Sequence, residues 1–348
     1  MNLADLNAVA KAMVAPGKGL LAADESSNTI KKRFDAIGVE STEDSRRDYR
    51  EMLFRSTDAM TNAISGVILY DETIWQTAKD GTPLVTLIEQ SGAIPGIKVD
   101  EGTQILPATD NETITIGLDR LAERLAKYYK QGARFAKWRG VIDIDKAKGI
   151  PSHAAIAANA HALARYAALC QAAQIVPIVE PEVLMDGPHD IDTCYKVTEW
   201  MLKETFQQLY VQNVVLEGMI LKPNMAISGK KAATEASVAE VAEKTVRLLK
   251  NCVPAAVPGV AFLSGGQSDI EATAHLDAMN KIGGRIGGLP WPLTFSYGRA
   301  LQSAPQQAWS GKAENVAAGQ AAFTHRARMN SLASKGEWSA DLETKKAS

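Results

Sequence analysis

Three lysines of this chain stand where lysine is rarely found, at the ends of short apolar runs. Lys98 and Lys137 lie within or at the end of two such runs, and Lys222 follows directly on residues 219–221. Lysine is depleted in β-strands, and a buried ammonium is costly unless it is paired or has a function. Solvent exposure at strand ends accounts for a single polar residue such as Asp71, but not for this set. We therefore interpret the three lysines as parts of a functional site.

A lysine in such a position can act as a nucleophile if its amine is neutral. With a reference pKa of about 10.4, roughly one lysine in 2500 is neutral at pH 7. Burial and a nearby cation both favour the neutral form, so we expect Lys137 to face Lys222 and to favour its neutral amine. That amine would attack a ketone and form an iminium. The iminium draws electrons from the adjacent carbon–carbon bond, which can then break without a metal.

Acidic residues in similar positions can move the protons that this chemistry requires. Asp24 and Glu180 each follow directly on an apolar run. Glu180 and Lys222 each precede a proline, and proline disfavours helical backbone at the residue before it. Both side chains are therefore expected in extended backbone, which fixes their direction. Glu182 is expected to support the lysines as a partner.

A glycine-containing segment in the last third of the chain predicts a phosphate site. Residues 264–268 read Ser-Gly-Gly-Gln-Ser, between an apolar run and a helical segment. Glycines let backbone N–H groups approach a phosphate, and the start of a helix adds a favourable dipole. The same letters also suit a plain turn with a helix N-cap. However, their place after the seventh predicted strand, with Arg299 after the eighth, matches the phosphate site of α/β barrels. A second phosphate would be held by Ser26, Lys32, Arg33 and Lys98.

The elements that carry these residues alternate between short strands and longer helices. Apolar or β-rich runs predict eight strands at residues 19–23, 66–70, 94–99, 134–138, 175–179, 219–221, 260–263 and 293–297. The clearest helical segments are residues 51–63, 118–131, 152–173, 193–210, 235–249 and 268–279. Such alternation implies parallel pairing with right-handed crossovers. Eight strands favour a closed barrel, where the carboxyl ends of all strands converge on one mouth.

We therefore predict an α/β protein built as an eight-stranded parallel (β/α)8 TIM barrel. One barrel domain is expected over residues 1–335, with an N-terminal helical extension, followed by a flexible C-terminal tail over residues 336–348. The Gly-x-Gly-x-x-Gly pattern of dinucleotide-binding sheets follows no strand near the start of the chain. The glycine-rich stretch 282–288 precedes the eighth strand and is expected to form a loop at the bottom of the barrel.

Composition and charge exclude several classes of function. The 348 residues carry a formal net charge of −2, without the basic excess typical of nucleic-acid binding. No run of about 18 apolar residues is present, so no membrane span is expected. Three cysteines are too few for a disulfide framework and indicate a reducing compartment, so we expect a cytoplasmic protein. The five histidines lack metal-site spacing, and the sequence predicts neither a metal centre nor a cofactor.

Seven short stretches of the sequence resemble the class I fructose-1,6-bisphosphate aldolases. They are Leu-Ala-Ala-Asp-Glu-Ser (21–26), Gly-Ile-Lys-Val-Asp (96–100), Phe-Ala-Lys-Trp-Arg (135–139), Val-Glu-Pro-Glu (179–182), Leu-Lys-Pro-Asn-Met (221–225), Phe-Leu-Ser-Gly-Gly-Gln-Ser (262–268) and Phe-Ser-Tyr-Gly-Arg-Ala-Leu (295–301). They occur in the order of the family from about residue 2 to residue 335. Together they are highly specific.

The resemblance implies a homotetrameric barrel that acts on a phosphorylated sugar in glycolysis and gluconeogenesis. The expected reaction is cleavage of fructose 1,6-bisphosphate to dihydroxyacetone phosphate and glyceraldehyde 3-phosphate. The resemblance implies a Schiff base on Lys222, proton transfer by Glu180, and assistance from Asp24 and Lys137. One phosphate would be bound by Ser264, Gly265, Gly266, Ser296, Gly298 and Arg299. Residues towards the other phosphate or elsewhere on the substrate would be Ser26, Arg33, Lys98 and Arg139.

Two other interpretations stay open from the residues alone. Another lysine-dependent aldolase, such as a transaldolase, would use the same amine, but two sets of cations favour a bisphosphate substrate. A barrel with a binding or scaffold role is the second, because a fold does not fix a function.

Many family members end in a tyrosine that reaches the active site, whereas this chain ends in Lys345-Lys346-Ala347-Ser348.

Overall fold

The computed structural model describes residues 2–344 and contains a closed barrel of eight parallel strands. The strands of this part of the chain are β1 (Gly19–Ala23), β2 (Ile64–Leu69), β3 (Ile94–Lys98), β4 (Thr103–Ile105), β5 (Thr113–Thr115), β6 (Phe135–Ile142), β7 (Val176–Val183), β8 (Ile220–Leu221), β9 (Val260–Phe262) and β10 (Leu293–Tyr297). The barrel order is β1-β10-β9-β8-β7-β6-β3-β2, and β4 and β5 form a separate antiparallel pair. Each predicted strand overlaps one barrel strand, so the predicted TIM barrel is confirmed.

Helices connect the strands around the outside of the barrel. Within residues 2–344 they are α1 (Leu3–Met13), α2 (Ser27–Asp35), α3 (Glu43–Phe54), α4 (Thr57–Asn62), α5 (Asp71–Ile74), α6 (Leu84–Gln90), α7 (Leu121–Lys130), α8 (His153–Ala172), α9 (Ile191–Val211), α10 (Val238–Cys252), α11 (Asp269–Arg285), α12 (Arg299–Trp309) and α13 (Val316–Ala333). Side-chain oxygens cap the starts of α8 to α11 by accepting first-turn backbone N–H groups; they belong to Ser152, Asp190, Ser237 and Ser268. None of the helices in this part of the chain combines the length and apolar character of a bilayer span.

The helix predicted over residues 51–63 is wrong in its boundaries. The structure has two helices there, α3 beginning at Glu43 and α4 beginning at Thr57. Thr42 and Ser45 form a capping box that starts α3 well before the apolar residues on which the prediction relied. Ser56, with ψ at 75°, separates the two helices. The charged first half of α3 concealed its start from a search for apolar periodicity.

The glycine-rich stretch 282–288 is only partly a loop, which corrects the prediction. Helix α11 continues to Arg285, and the turn is formed by Gly287 and Gly288, with φ values of 82° and 110°. Residues without a Cβ adopt such angles readily. The turn precedes β10, at the opposite end of the strands from Lys222.

The interior of the barrel is filled with apolar side chains and is closed at its N-terminal end by α1. Leu20, Ile68, Phe135 and Ile178 of the strands pack in one cluster with residues of the N-terminal segment, which are Leu6, Ala10, Met13 and Val14. The ring of Phe135 lies so close to Gly96 that a Cβ there would clash with it. The predicted N-terminal helical extension is therefore confirmed, and it forms the floor of the barrel.

Strand β7 accommodates two prolines because their backbone nitrogens point towards β8 and not towards β6. Val176 and Leu184 donate their backbone N–H groups to β6, so Pro177 and Pro181, an odd number of residues away, face β8. Strand β8 pairs with β7 at two positions, Ile178↔Ile220 and Val179↔Leu221. A proline lacks a donor, and the short β8 requires none at these points.

The segment after α13 packs back onto α11 and α13. Trp338 is buried; its backbone N–H donates to Asp277 at 2.9 Å and its indole N–H donates to Glu343 at 3.0 Å. Arg326 of α13 also donates to Glu343. These contacts hold part of the region 336–348 for which we predicted a flexible tail. Residues 345–348 lie outside the described residues.

Candidate active site

A cavity of about 1150 Å³ opens at the carboxyl ends of the barrel strands. Its lining includes every site residue predicted from the sequence: Asp24, Ser26, Lys32, Arg33, Lys98, Lys137, Arg139, Glu180, Glu182, Lys222, Ser264, Gly265, Gly266, Ser296, Gly298 and Arg299. With Tyr70 and Asp71, which follow β2, residues from all eight barrel strands or from the loops that follow them line this mouth.

Lys222 and Lys137 lie deep in this cavity, with Glu180 between their amines. Glu180 Oε1 lies 3.2 Å from Lys222 Nζ, and Glu180 Oε2 lies 3.4 Å from Lys137 Nζ. All three residues are more than nine-tenths buried. One carboxylate therefore bridges two nitrogens in a site with little access for water, where a proton can pass directly between Glu180 and Lys222.

Lys137 is surrounded by carboxylates, which keep it charged. Its Nζ lies 2.7 Å from Asp24 Oδ2 and 3.9 Å from Asp100 Oδ2, in addition to Glu180. Burial favours the neutral amine, but these carboxylates outweigh it and raise the pKa of Lys137 above its ordinary value. Burial likewise opposes ionisation of Asp24, but Lys137 and Lys222 outweigh it and hold the pKa of Asp24 well below its usual range. Both shifts favour the ionised form of the Lys137–Asp24 pair.

The expected repulsion between Lys137 and Lys222 is not the arrangement that the structure shows. The β3–β6 register places Lys98 beside Lys137, and Glu180 stands between Lys137 and Lys222. The carboxylates around Lys137 balance its positive charge, so its electrostatic effect on Lys222 is small. The group in contact with Lys222 is therefore a carboxylate and not a second cation, and Glu180 is placed to accept a proton from that amine.

The direction of the Lys222 side chain is fixed by its backbone neighbours. The N–H of Lys222 donates to Val179 of β7 at 2.8 Å, and Pro223 restricts Lys222 to extended angles. Asn224 accepts the N–H of Val183 at 2.9 Å and donates to Thr198 at 3.0 Å. The sequence Lys-Pro-Asn thereby ties the end of β8 to the end of β7. These contacts fix the position of the Lys222 amine relative to the Glu180 carboxylate.

Glu182 pairs with Arg139 and not with a lysine, which corrects the predicted partnership. Arg139 Nη1 donates to Glu182 Oε2 at 3.0 Å. Burial raises the pKa of Glu182, although Arg139 opposes the rise. The side chain of Arg139 is 46% exposed and lines the cavity. The pair therefore forms part of the cavity wall, and Glu182 influences the lysines only through its charge.

A cradle of backbone and side-chain donors surrounds Gly265 and Gly266, after β9. Their φ values are 55° and 86°, a backbone that glycine adopts without strain, and α11 begins three residues later. Ser296 of β10 is buried, and its hydroxyl has no hydrogen-bond partner among residues 2–344. No described carboxylate lies within 4 Å of the guanidinium of Arg299, which lines the same space. Such unpaired donors fit an anion with several oxygens.

The residues predicted for the second phosphate are divided between two places. Lys98 Nζ lies 3.1 Å from Asp100 Oδ1 and 5.7 Å from the centre of the Tyr70 ring. Arg33 pairs with Glu25, and its Nη2 lies 3.7 Å from the point where a Cβ on Gly298 would stand. Arg33 therefore lies beside Gly298, which directly follows β10. Ser26 caps α2 through Thr29.

Comparison with known proteins gives a consistent result over almost the whole chain. Residues 5–348 match the family model described as fructose-bisphosphate aldolase class-I. The probable fructose-bisphosphate aldolase class 1 of Xanthomonas campestris is 55% identical over 339 residues, covering 97% of this chain and 99% of the relative. Fructose-bisphosphate aldolase 1 of Toxoplasma gondii is 54% identical over 329 residues, covering 94% of this chain and 89% of the relative.

The chain belongs to the class I fructose-bisphosphate aldolase family. The structure of the Plasmodium falciparum fructose-bisphosphate aldolase, in complex with TRAP and a small-molecule inhibitor, superposes with a TM-score of 0.94 at 48% identity, covering 97% of this chain and 96% of that one. Class I aldolases are metal-independent carbon–carbon lyases that work through a lysine Schiff base. The fold, family and reaction inferred from the sequence are thus confirmed.

Two residues of the aldolase site, Asp100 and Arg50, are not among those predicted from the sequence. Asp100 contacts both Lys98 and Lys137, and Arg50, only 1% exposed, supports Glu25 behind Arg33 by donating to the Glu25 carbonyl. Asp100 was recognisable, since it ends the stretch Gly-Ile-Lys-Val-Asp directly after β3. Arg50 lies inside α3, where nothing in the spacing of residues indicates that it turns inwards.

Protonation of His275 is expected to destabilise this aldolase in mild acid. His275 contacts Gln267 at 2.5 Å, and Gln267 donates to the carbonyl of Ser264 at 2.8 Å, so the histidine supports the phosphate cradle from below. Burial lowers the pKa of His275 from 6.5 to about 4, despite the opposing effect of Glu271. Between pH 6.5 and pH 4 the unfolded chain binds more protons at this histidine than the folded chain does. The contribution of neutral His275 to the free energy of unfolding is therefore fully present above pH 6.5 and is lost as the pH falls towards 4.

The measurement is the free energy of unfolding in urea between pH 8 and pH 5. We expect the wild type to lose about 2 kcal/mol of it through His275 over this interval. The variant His275→Gln should lack that part of the pH dependence, and His161→Gln, at an exposed position of α8, should retain it. Equal slopes for wild type and His275→Gln would contradict the prediction.

Proposed function

We propose that this chain cleaves fructose 1,6-bisphosphate through a Schiff base formed on Lys222. The observation that carries the proposal is the buried amine of Lys222, 3.2 Å from Glu180 Oε1, at the bottom of a cavity lined by phosphate-binding groups. Membership of the class I aldolase family supports the reaction. The position of Lys222 directly after a barrel strand supports the assignment of the nucleophile.

The first step is attack of the Lys222 amine on the C2 carbonyl of the open-chain sugar. Glu180, holding a proton that it has taken from Lys222, gives this proton to the C2 oxygen as the amine attacks. It then removes a second proton from the nitrogen and passes it to the resulting hydroxyl of the carbinolamine, which leaves as water. The product is an iminium between Nζ and C2. Because Glu180 also contacts Lys137, its charge is stabilised while the proton is in transit.

The second step breaks the bond between C3 and C4. Glu180 takes the proton of the C4 hydroxyl, the aldehyde leaves, and the bonding electrons move onto the iminium, which becomes an enamine. Lys137 stays an ammonium and stabilises the developing negative charge on the substrate oxygen. Asp24 holds Lys137 in place, and its lowered pKa makes it a weak base. Protonation at C3 and hydrolysis of the iminium then release dihydroxyacetone phosphate and restore the amine.

The phosphates orient the sugar over Lys222. We assign one to Ser264, Gly265, Gly266, Ser296 and Arg299, and the other to the side of the mouth that carries Lys98 and Ser26. Arg33, beside Gly298, adds its charge to the first group. Remote binding of this kind positions C2 for attack and lowers the entropic part of the barrier.

Trapping the covalent intermediate tests the proposal. Borohydride added with dihydroxyacetone phosphate reduces the iminium to a secondary amine, so we expect irreversible inactivation and a mass increase on the peptide that contains Lys222. Borohydride without the sugar phosphate is the control and should leave activity unchanged. Full activity after the complete treatment would overturn the Schiff base, whereas absence of cleavage by the untreated protein would favour the scaffold interpretation.

Assembly and location stay predictions. A homotetramer is supported by family membership. A cytoplasmic location is supported by the free thiols of Cys170, Cys194 and Cys252, none of which forms a disulfide within the described residues.

A further inference from the structure

Lys230, on the loop after β8, places an additional cation beside the phosphate cradle. A Cβ on Gly266 would stand 2.9 Å from Lys230 Nζ and 2.8 Å from Arg299 Nη2. Two cations therefore flank the same glycine, and both line the active-site cavity. Lys230 follows no strand directly, so its position in the sequence does not indicate a place in the site.

The backbone of Lys230 is held in place by the loop that follows β7. The N–H groups of Gly229, Lys230 and Lys231 donate to His189 at 2.8 Å, Met185 at 2.6 Å and Gly187 at 3.2 Å. Gly229 lies so close to Gly187 that a Cβ there would clash with its carbonyl. The position of the Lys230 Cα is thus determined by the two loops. The flexible four-carbon side chain of Lys230 can still place its ammonium on different partners.

Asp186 is the partner that Lys230 has in the structure. The two groups lie 2.8 Å apart, with side chains 43% and 63% exposed. Such an exposed ion pair contributes between about 0 and 1 kcal/mol. A sugar phosphate carries a charge of about −1.5 to −2 at pH 7 and three acceptor oxygens. It therefore competes effectively with one carboxylate for the ammonium.

The cradle itself shows that it is built for a ligand with acceptor oxygens. Ser296 is only 1% exposed, and its hydroxyl has no hydrogen-bond partner within residues 2–344. It lines the cavity together with Gly266, Arg299 and Lys230. A dianion placed there would satisfy the hydroxyl and the guanidinium. It would also come within reach of the Lys230 ammonium.

We propose that Lys230 is a further binding residue for the substrate phosphate held at Gly265, Gly266 and Arg299. Asp186 holds the Lys230 side chain while the cradle is empty, and substrate draws the ammonium onto its phosphate. The inference rests on the proposed function, since it concerns the same substrate. Lys230 and Asp186 then affect substrate binding in opposite directions. Lys230 attracts the phosphate, whereas Asp186 repels it and competes for Lys230.

The test compares cleavage of fructose 1,6-bisphosphate by Lys230→Met and Asp186→Asn. For Lys230→Met we expect KM to rise about 5- to 10-fold with kcat changed less than about twofold, because the contact binds substrate in ground and transition state alike. For Asp186→Asn we expect KM to fall about two- to threefold. The KM of Lys230→Met should also increase less steeply with sodium chloride than that of the wild type.

Lys231→Met is the matched control, because Lys231 is the exposed neighbour and contributes only its backbone to the loop contacts. It should keep the wild-type KM, and Lys230→Gln should repeat the rise seen with methionine. An unchanged KM in Lys230→Met, or shifts in the same direction in Lys230→Met and Asp186→Asn, would overturn the inference. Loss of borohydride trapping in the wild type would instead overturn the proposed function, together with the inference that rests on it.

Discussion

Replacement of Lys222 by methionine is expected to lower kcat for cleavage of fructose 1,6-bisphosphate by at least about 10⁴-fold. Without this amine no covalent electron sink forms. Lys137 is the other amine beside Glu180, but it cannot substitute, because its carboxylate neighbours keep it protonated. Steady-state kinetics of purified enzyme give the loss in kcat, and borohydride trapping should fail in parallel.

The fold should survive this replacement. Glu180 keeps its contact with Lys137 at 3.4 Å, so removal of Lys222 does not leave a buried carboxylate without a cation. Circular dichroism and the thermal midpoint check this point, and Lys231→Met serves as the control at the protein surface. A folded Lys222→Met variant that retained a substantial fraction of wild-type turnover would show that the nucleophile lies elsewhere.

Replacement of Glu180 by glutamine is expected to lower kcat by about 10³-fold. The amide preserves the size of the side chain, but it can neither accept the proton of Lys222 nor return one to the leaving hydroxyl. Because Schiff-base formation needs both transfers, the rate of borohydride trapping with dihydroxyacetone phosphate should fall as well. A rapid-quench measurement of trapping separates this step from the breakage of the carbon–carbon bond.

The control for Glu180 is Glu217→Gln, at the N-terminal end of the barrel near α1. It removes a carboxylate of equal size far from the cavity and should leave kcat unchanged. If Glu180→Gln lost less than about threefold in kcat and trapped at the wild-type rate, the proton acceptor would have to be another group. Glu182 would then be the next residue to test.

The sequence was most informative where a residue type conflicts with its surroundings. Lysines at the ends of apolar runs and carboxylates before proline could be interpreted without coordinates, because desolvation of charge is costly in any fold. Their convergence also followed from counting strands, since all parallel strands of a barrel end at one mouth. For these reasons Lys98, Lys137, Glu180 and Lys222 could be assigned to one cavity.

The partners of these residues could not be obtained in the same way. Whether Lys137 meets Lys98 or Lys222 depends on the β3–β6 register. A shift by one residue would turn each side chain to the other face. The pairing of Glu182 with Arg139 also depends on which rotamers the cavity permits. Lys230 was hidden for a further reason: its place beside Gly266 arises from contacts between two loops, and loop conformation leaves little trace in periodicity.

Within residues 2–344, α1 and Phe135 close the floor of the barrel, so the cavity is a chamber that opens at the carboxyl ends of the strands. Substrate enters and both products depart through the same opening above Lys222. The three-carbon ketose is still bonded to the enzyme when the aldehyde is set free, so the aldehyde must exit first. In the synthetic direction the sequence of arrivals is reversed, and the aldehyde enters a chamber that the attached ketose already occupies.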